Sequence, residues 1–356
     1  MPNYLVILKN MIKELPPARA YRRKKYDKYL ATPEKIETAI RTYMGDNLTA
    51  DERIAVAADI QRTAKEFRFD ADEYFFYHLR DRTDEEKREF ISDREGQEIR
   101  ALLNKGKNRE IFDNKYEAYL RFKKYYKRDV CFIKSENDFE PFDVLLAKHK
   151  SLIIKPVVDG SGHGVRQIVN SDDNYKLFAS LRSDYPGGFV AEEIIKQVAE
   201  MAAFHPQSVN TIRITTIRLP DGVKEIHPFV RFGTGDRVVD NGGSNGLICT
   251  IDLETGRVYS AVDEADKRYE RHPDTGMKII GFTIPDWENA KKLAAELANV
   301  VPDNRYTGWD LALTDKGWVM VEGNASGMFI GWQFNDQIGF RSEMESYLKQ
   351  LGIRYS

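Results

Sequence analysis

Apolar side chains in residues 1–105 recur at the spacing of an amphipathic helix, and this stretch contains no strand-like run. Ile54, Ala57 and Ala58, for example, follow a threonine and an acidic first turn. The same start signal, a threonine cap before acidic residues, occurs at Thr32, Thr49 and Thr83. Residues 1–105 are therefore predicted to form a helical N-terminal region that serves packing or docking, because no cluster of catalytic residue types occurs there.

From about residue 106 the pattern changes to short apolar runs that alternate with helical segments. Runs rich in β-branched and aromatic residues, bounded by polar residues, Gly or Pro, predict strands. The predicted strands include residues 130–133, 152–156, 189–193 and 211–218. Residues 252–257 predict a hairpin turn, and residues 286–300 predict an amphipathic helix. This alternation predicts an α+β region.

Near the C-terminus two predicted strands are separated by a short turn. The strands cover residues 310–313 and 318–322, and the turn covers residues 314–317, which read Thr-Asp-Lys-Gly. Antiparallel strands joined in this way form a hairpin whose residues face each other across the ladder. The hairpin is therefore predicted to bring Asp310 beside Glu322.

Three oxygen donors lie at the open end of this hairpin. Successive side chains of a strand point to opposite faces, so Glu322 and Asn324 share a face while Gly323 points away. Together with Asp310 they form a set of hard oxygen donors of the kind that Mg²⁺ prefers. The pattern predicts a shared magnesium site, although a plain surface hairpin has the same pattern.

Length and composition limit the class of protein. A chain of 356 residues fits two or three domains, and 42% hydrophobic residues are enough to form buried cores, which argues against global disorder. The formal net charge of −2 argues against a general nucleic-acid binder. The basic run at residues 19–25 is either a solvated helix face or a peripheral docking surface for a membrane or an acidic partner.

Cys131 and Cys249 stand far apart and outside any metal-ligand spacing. Both are expected to be reduced and partly buried. The sequence shows no secretory leader pattern and no run of about 18 apolar residues. It therefore predicts no transmembrane segment and a cytoplasmic location.

A glycine-rich loop follows the predicted strand that carries Lys155. Residues 157–165 contain three glycines that alternate with Ser161 and His163, a composition that lets backbone N–H groups approach phosphate oxygens. The lysine ammonium would neutralise phosphate charge. This is not a Walker A loop, because no Gly-Lys-Ser/Thr follows the glycines. Phosphate binding and an ordinary glycine-rich turn both stay open on these residues alone.

The predicted strand at residues 189–193 carries two consecutive carboxylates, Glu192 and Glu193. Consecutive side chains of a strand point to opposite faces, so at least one carboxylate would face a cleft. Backbone groups and a carboxylate here are suited to an adenine or a ribose hydroxyl. A polar edge strand is the alternative.

Arg213 and Arg231 each lie within an apolar strand. An arginine in that position is often an exposed-face residue, but two of them near a set of oxygen donors favour a positive pocket for phosphate and carboxylate. The loop at residues 240–246, rich in Gly and Asn, is either an ordinary turn or one that contacts substrate.

Five ordered motifs together resemble the ATP-grasp superfamily, most closely its sugar-transfer-associated branch. In chain order they are Asp113-Asn114-Lys115, Ile153-Ile154-Lys155-Pro156-Val157, Val190-Ala191-Glu192-Glu193-Ile194-Ile195, Ser208-Val209-Asn210-Thr211-Ile212-Arg213, and Gly308-Trp309-Asp310 with Glu322-Gly323-Asn324. The resemblance covers about residues 108–339. It implies an α+β ATP-grasp fold of two lobes enclosing ATP, with residues 106–197 as the first lobe and residues 198–356 as the second.

The resemblance also implies which residues bind the nucleotide and its metal. The implied nucleotide-binding residues are Lys115, Lys155, the lid residues Ser161, Gly162 and Gly164, and the adenine hinge Glu192, Glu193, Ile194 and Ile195. Asp310, Glu322 and Asn324 would hold one or two Mg²⁺ ions that bridge the β- and γ-phosphates of ATP. The ribose contact stays open among Gln197, Glu200 and their neighbours.

Many ATP-grasp enzymes phosphorylate a carboxylate and then let an amine displace the phosphate. In that scheme Arg213 or Arg231 stabilises the acyl phosphate and the tetrahedral intermediate, and Asn210 orients a substrate. The resemblance therefore implies an ATP- and Mg²⁺-dependent ligase for a small-molecule carboxylate and an amine, such as a sugar acid or an amino acid, in polysaccharide or secondary-metabolite assembly. The alternatives are a phosphotransferase acting on a hydroxyl and a nucleotide-binding scaffold without turnover.

Overall fold

The computed structural model describes residues 27, 29–104, 109–158, 164–235, 246–327 and 329–355, of which positions 109, 110 and 330 are described by their backbone only. Several predicted features lie outside these residues, namely the basic run at 19–25, Ser161, Gly162 and positions 240–245 of the second loop. The chain divides into two compact units, residues 1–98 with 328–345 and residues 99–327 with 346–356.

The smaller unit is helical in its described residues. Its helices are Pro33–Met44 (α1), Ala50–Phe67 (α2), Ala71–Phe76 (α3), Asp84–Glu89 (α4) and the first part of Asp93–Leu103 (α5). The helix starts predicted at Thr32, Thr49 and Thr83 are confirmed, since each threonine side chain accepts a hydrogen bond from the first helical turn. At Thr49 and Thr83 a glutamate three residues on completes a capping box, and such caps each stabilise a helix by about 1 kcal/mol.

The buried face of α2 does not include Ile54. Ile54 is 67% exposed, whereas the buried side chains of α2 include Val56, Ile60, Ala64 and Phe67. These four follow a spacing of three or four residues and so form a single face. The helix predicted after Thr49 is confirmed, and these four residues form its buried face.

The larger unit is α+β. Its helices are the end of α5, Arg109–Asp113 (α6), Lys115–Tyr126 (α7), Phe139–His149 (α8), Asn174–Asp184 (α9), Ala199–Ala202 (α10) and Trp287–Val300 (α11). Its strands are Val130–Ile133 (β1), Ser151–Pro156 (β2), Arg166–Val169 (β3), Phe189–Glu193 (β4), Ile212–Leu219 (β5), Gly222–Phe232 (β6), Leu247–Ile251 (β7), Val258–Val262 (β8), Tyr306–Thr314 (β9) and Gly317–Asn324 (β10). The predicted strands at residues 130–133 and 189–193 are confirmed, the one at 152–156 begins one residue earlier, and the one at 211–218 is shifted by one residue.

The first sheet has four antiparallel strands in the order β1-β4-β2-β3. One face packs against α8 and α9 in a core that includes Ile154, Phe142 and Phe178. Because side chains alternate along a strand, Lys155 and Glu192 point to the opposite face. This face of the first sheet is therefore the polar one, and it carries two of the predicted nucleotide ligands.

The second sheet has six antiparallel strands in the order β10-β9-β5-β6-β7-β8. One face forms the main hydrophobic core with side chains of α7 and α11, and Trp309 and Phe122 lie within it. Asp310 follows Trp309 on β9 and so points to the opposite face, where it pairs in register with Arg213 of β5. The sheet therefore separates an apolar core from a face that carries acidic and basic side chains.

The β9–β10 hairpin changes register at a β-bulge. Leu311 pairs with Met320, but Asp310 pairs with Glu322 rather than with Val321. The extra residue, Val321, lets Met320 lie in the core while Glu322 lies opposite Asp310. The prediction that Asp310 lies beside Glu322 is confirmed, through a bulge that was not predicted.

The segment 328–345 groups with the helical unit, whereas the sequence prediction assigned it to the second lobe. It contains Ile330–Asp336 (α12) and the first part of Arg341–Gln350 (α13). The buried amide of Gln333 accepts a hydrogen bond from the N–H of Ile91 and donates one to its carbonyl, both at 2.8 Å. Arg341 forms an ion pair with Glu95. These pairings join residues far apart in the chain, so no local pattern predicts them.

Both cysteines are free thiols, and Cys249 is buried while Cys131 is half-buried. The predicted turn at residues 252–257 is confirmed, with the carboxylate of Asp252 accepting a hydrogen bond of 2.8 Å from the N–H of Thr255. Among the residues described, no helix has both the length and the apolar character needed to cross a lipid bilayer.

Candidate nucleotide and metal site

Asp310 lies at the centre of a buried cluster on the polar face of the second sheet. Arg213 donates two hydrogen bonds to the two oxygens of its carboxylate, at 2.7 and 2.6 Å. Arg231 lies 2.9 Å from the carboxylate oxygen Oδ2 and also donates to the hydroxyl of Thr211. Burial alone would raise the pKa of Asp310, but the two arginines outweigh burial and hold the pKa below its ordinary value. Asp310 is therefore a carboxylate anion at neutral pH.

Glu322 and Asn324 lie on the same face as Asp310. In the ladder, Glu322 pairs with Asp310 and Asn324 pairs with Gly308. Gly323 faces the other way, since a Cβ atom there would lie 2.6 Å from the ring of Phe112 in the core. The alternation predicted for residues 322–324 is confirmed by this arrangement.

These donors fit a hard divalent cation. Within the described part of the chain, the carboxylate of Glu322 has no hydrogen-bond partner. The amide nitrogen of Asn324 lies 3.5 Å from Asp310, which orients the amide while its oxygen stays available as a ligand. The two carboxylates are, however, balanced by Arg213 and Arg231. The oxygen donors suit Mg²⁺, but the local charge is neutral without further anions.

A second cluster occupies the polar face of the first sheet. The carboxylate of Glu192 accepts hydrogen bonds from Lys155 at 3.0 Å and from Arg128 at 3.0 and 2.8 Å. Glu192 is buried, and burial alone would raise its pKa. Lys155 and Arg128 outweigh burial and lower the pKa to about 2. Lys155 therefore presents an ammonium group held in place at the end of β2.

The shifted pKa of Glu192 predicts an acid-sensitive contribution to stability. Its pKa in the folded chain, about 2, lies below the ordinary value of 4.5, so the contribution is complete above pH 4.5 and is lost as the pH falls towards 2. We expect up to about 3 kcal/mol of unfolding free energy to disappear over that range. Urea titrations of wild type and Glu192→Gln at several pH values would measure it. Parallel pH profiles for the two proteins would contradict this prediction.

Glu193 points to the face opposite Glu192. Its carboxylate accepts a hydrogen bond of 3.0 Å from the N–H of Asp129, while its own N–H donates to the carbonyl of Asp129 at 2.9 Å. Asp129 also binds Lys148 at 2.6 Å and His149 at 2.8 Å. Asp129 approaches Nε2 of His149 and Glu193 approaches Nδ1, and one oxygen or nitrogen atom of each of the three side chains lies within 4.8 Å of the others.

Other predicted nucleotide ligands lie around the same strands. The backbone N–H of Lys115, the first residue of α7, donates to the carbonyl of Val157 at 3.0 Å, just after β2. Ile194 and Ile195 follow the last residue of β4 and belong to no strand. Gly164 has a positive φ of 69°, and its carbonyl accepts a hydrogen bond of 2.6 Å from Tyr185. Ser161 and Gly162 lie outside the described residues.

Asn210 is fully buried, and its side chain binds backbone groups. Its amide nitrogen donates to the carbonyls of Met201 at 2.9 Å and His205 at 3.1 Å, and its oxygen accepts from the N–H of Gly233 at 3.3 Å. Gln197 pairs with the backbone N–H and C=O of Asn210 at 2.8 and 2.7 Å. These contacts connect the segment after β4 with the residues just before β5 and with the loop after β6.

Sequence reasoning missed Arg128. This residue precedes β1 in a charged stretch that has the composition of an ordinary surface turn. Its side chain is nevertheless only 4% exposed and contacts both sheets. No local signal identifies such a residue, because its partners lie about 60 and 190 positions away along the chain.

The larger unit thus contains two antiparallel sheets, one with a buried lysine–glutamate pair and the other with arginines and oxygen donors, as expected for an ATP-grasp protein. The family model described as "Sugar-transfer associated ATP-grasp" matches residues 96–349, well over half of the chain. The chain therefore belongs to the sugar-transfer associated ATP-grasp family. The family resemblance and the α+β ATP-grasp fold predicted from the five motifs are confirmed.

Several solved structures are similar to this chain at low identity. The ATP-grasp ligase PsnB, complexed with a minimal precursor, is 17% identical, with a TM-score of 0.40 over 72% of this chain and 71% of that chain. D-alanine-D-alanine ligase from Helicobacter pylori is 15% identical, with a TM-score of 0.39 over 68% and 60%. N5-carboxyaminoimidazole synthetase from Staphylococcus aureus is 10% identical, with a TM-score of 0.41 over 75% and 59%. A search of curated proteins found no match.

Proposed function

We propose that this chain binds MgATP between its two sheets and uses it to join a small-molecule carboxylate to an amine. Family membership supports ATP as the nucleotide. The observation that carries the proposal is the Arg213–Asp310–Arg231 cluster beside Glu322 and Asn324. It combines oxygen donors for a metal with guanidinium groups for anionic oxygens on one face of one sheet.

The nucleotide would lie along the first sheet. Lys155 is suited to a phosphate oxygen, because its ammonium group is held by Glu192 and is only partly exposed. The backbone of residues 192–195 is suited to the adenine edge, since Ile194 and Ile195 lie beyond the strand ladder. Lys115, Ser161, Gly162 and Gly164 are proposed to contact the phosphates.

Asp310, Glu322 and Asn324 would hold the magnesium. When bound, Mg²⁺ neutralises charge on the β- and γ-phosphates of ATP. The residues themselves supply orientation: Asn324 is placed by Asp310, and Asp310 is placed by two arginines. Asn210 is inferred to act by positioning β5, which carries Arg213, because its amide binds backbone groups.

The proposed reaction has two steps. A carboxylate oxygen attacks the γ-phosphorus, the bond to the β–γ bridging oxygen breaks, and ADP leaves. The amine nitrogen then attacks the carbonyl carbon of the acyl phosphate, the carbon–oxygen bond to phosphate breaks, and the amine gives up one proton to solvent. Arg213 and Arg231 would stabilise the negative oxygens in both steps, since guanidinium groups bind such oxygens bidentately.

The charge balance around Asp310 predicts that metal and nucleotide bind together. Arg213 and Arg231 both pair with Asp310, and the formal charges of these three side chains and Glu322 sum to zero, so the four groups offer a free Mg²⁺ ion no net negative charge. The phosphates of ATP supply that charge. We expect Mg²⁺ to bind at least about tenfold more tightly with a non-hydrolysable ATP analogue than without it, as measured by calorimetry and corrected for binding to free analogue. Tight binding of Mg²⁺ to the protein alone would contradict this expectation.

Trapping with hydroxylamine tests the ligase proposal. Purified protein is incubated with ATP, Mg²⁺, hydroxylamine and a panel of sugar acids and amino acids, and hydroxamate and ADP are measured. An acyl phosphate reacts with hydroxylamine, so a matching acid gives both products. A stable phosphorylated product without hydroxamate would instead indicate a phosphotransferase. Neither ADP nor hydroxamate across a broad panel would overturn the proposal.

The proposed setting follows from the family and the chemistry. The family description, which names sugar transfer, favours substrates from polysaccharide assembly, and secondary-metabolite assembly is the alternative. The cytoplasm is the proposed location, because ATP is supplied there. Peripheral docking through the basic run at residues 19–25 is a separate proposal, since that run lies outside the described residues.

A further inference from the structure

Arg128 connects the two polar clusters. Its guanidinium donates to the carboxylate of Glu192 on the first sheet, at 3.0 and 2.8 Å. The same guanidinium donates to two carbonyls of β10 on the second sheet, those of Met320 at 2.6 Å and Val321 at 3.4 Å. Its side chain is almost fully buried. A single planar group therefore contacts both sheets at once.

The two carbonyls belong to the β-bulge of β10. A bulge inserts one residue into a ladder and leaves that residue unpaired, so its backbone groups need other partners. Arg128 donates to the carbonyl of the extra residue, Val321, and to that of Met320, which precedes it. The bulge in turn determines that Glu322 lies opposite Asp310, because in an uninterrupted ladder Val321 would take that place.

Arg128 also acts on Lys155, through the carboxylate of Glu192 that both cations bind. Glu192 accepts from both cations, so its carboxylate fixes the ammonium of Lys155 relative to the guanidinium. Two cations share one buried anion, and the cluster keeps one net positive charge. Removal of Arg128 would leave Lys155 as the only cation bound to Glu192, which strengthens their pairing and makes the ammonium less available to an anionic ligand.

Other contacts near Arg128 also join the two lobes. The ammonium of Lys127 donates to the carbonyl of Lys316 at 2.9 Å, and that of Lys316 donates to the carbonyl of Lys127 at 3.3 Å. The ammonium of Lys316 also lies 3.9 Å from a carboxylate oxygen of Glu193 on β4. A conservative change at Arg128 therefore leaves the lobes joined by neighbouring residues.

We propose that Arg128 is a positioning residue that holds the β10 bulge, and with it Glu322, in the arrangement that receives the metal. The inference rests on the proposed function, because it takes Glu322 as a ligand of the metal that accompanies ATP. It assigns a role to a residue that is not among the proposed nucleotide and metal ligands. Arginine is required, because a lysine at this position would pair with Glu192 but would not also reach both carbonyls.

Arg128→Lys tests this role by separating metal binding from nucleotide binding. Affinity for a non-hydrolysable ATP analogue is measured in EDTA and then as a function of Mg²⁺ concentration. In the variant we expect the Mg²⁺ concentration at half-saturation to rise about tenfold, with metal-free nucleotide affinity changed less than about threefold. Arg121→Lys, an exposed position on α7, is the matched control and should change neither value.

Deletion of Val321 provides a rescue. The deletion removes the extra residue, so an uninterrupted ladder would pair Glu322 with Asp310 without help from Arg128. Combined with Arg128→Lys, it should return the Mg²⁺ half-saturation towards that of wild type. The same deletion tests the role if Arg128→Lys does not fold, since the double variant should then regain a cooperative thermal transition.

Three results would overturn the inference. These are an unchanged Mg²⁺ half-saturation in Arg128→Lys, an equal loss of metal-free and metal-dependent affinity, and no rescue by the deletion. A wild-type protein that binds no ATP analogue would overturn the proposed function itself, and the inference with it. Normal binding by wild type with no effect of the variant would overturn the inference alone.

Discussion

Asp310→Asn is expected to lower ATP turnover at least about 100-fold. Asparagine keeps the shape of the side chain but removes the charge that Arg213 and Arg231 share. The variant would lose an anionic metal ligand and also the group that orients both guanidiniums. ADP release at saturating ATP and Mg²⁺ measures the effect, and it does not require the natural substrates if a basal ATPase activity is present.

The same change should reduce stability. Asp310 is 3% exposed, and its loss removes the carboxylate that Arg213 and Arg231 share in a buried site. Breaking a buried ion pair of this kind costs about 3 kcal/mol of unfolding free energy. Asp315→Asn is the matched control, because Asp315 lies exposed in the turn of the same hairpin. Unchanged turnover in Asp310→Asn would exclude this carboxylate from the reaction.

Lys155→Met should weaken nucleotide binding about 10- to 100-fold, because it removes one charge-assisted hydrogen bond to the nucleotide. Methionine keeps the length and the apolar stem but removes the ammonium group that Glu192 holds. Arg128 still neutralises Glu192, so the fold is expected to persist. Equilibrium binding of a fluorescent ATP analogue, measured with and without Mg²⁺, gives the affinity directly.

Lys176→Met is the control for Lys155→Met. Lys176 is exposed on α9, in the same lobe and outside the polar face of the first sheet. This variant should bind the nucleotide as wild type does. Equal affinity in Lys155→Met and Lys176→Met would place the phosphates elsewhere and would remove Lys155 from the proposed site.

Local features of the fold were predictable because they depend on neighbouring residues. The capping boxes at Thr49 and Thr83 need only a threonine and a glutamate three positions apart. The strands at residues 130–133 and 189–193 follow from short apolar runs between polar ones. The buried stripe of α2 was not predictable in the same way, because Ile54 fits a helical pattern and only packing decides which pattern is buried.

The candidate site was predictable as a set of residue types but not as a set of contacts. Asp310, Glu322 and Asn324 were identified from their chemistry and alternation, and they share one face. The pairing of Arg213 with Asp310 depends on β5 lying beside β9, a non-local arrangement that no short window of sequence contains. Arg128 was not predicted for the same reason, because its partners lie on strands that are distant in the sequence.

The extra residue in β10 has a consequence for how relatives of this chain should vary. A relative that lacks one residue between the hairpin turn and the acid equivalent to Glu322 would keep the acid opposite its partner with no irregular backbone to support. In such a relative, a buried arginine before the first strand would keep only its pairing with the acid equivalent to Glu192. Strand length and the identity of residue 128 are therefore expected to change together across the family. An alignment that counts residues from the hairpin turn would place the metal-binding acid one position away from its true equivalent.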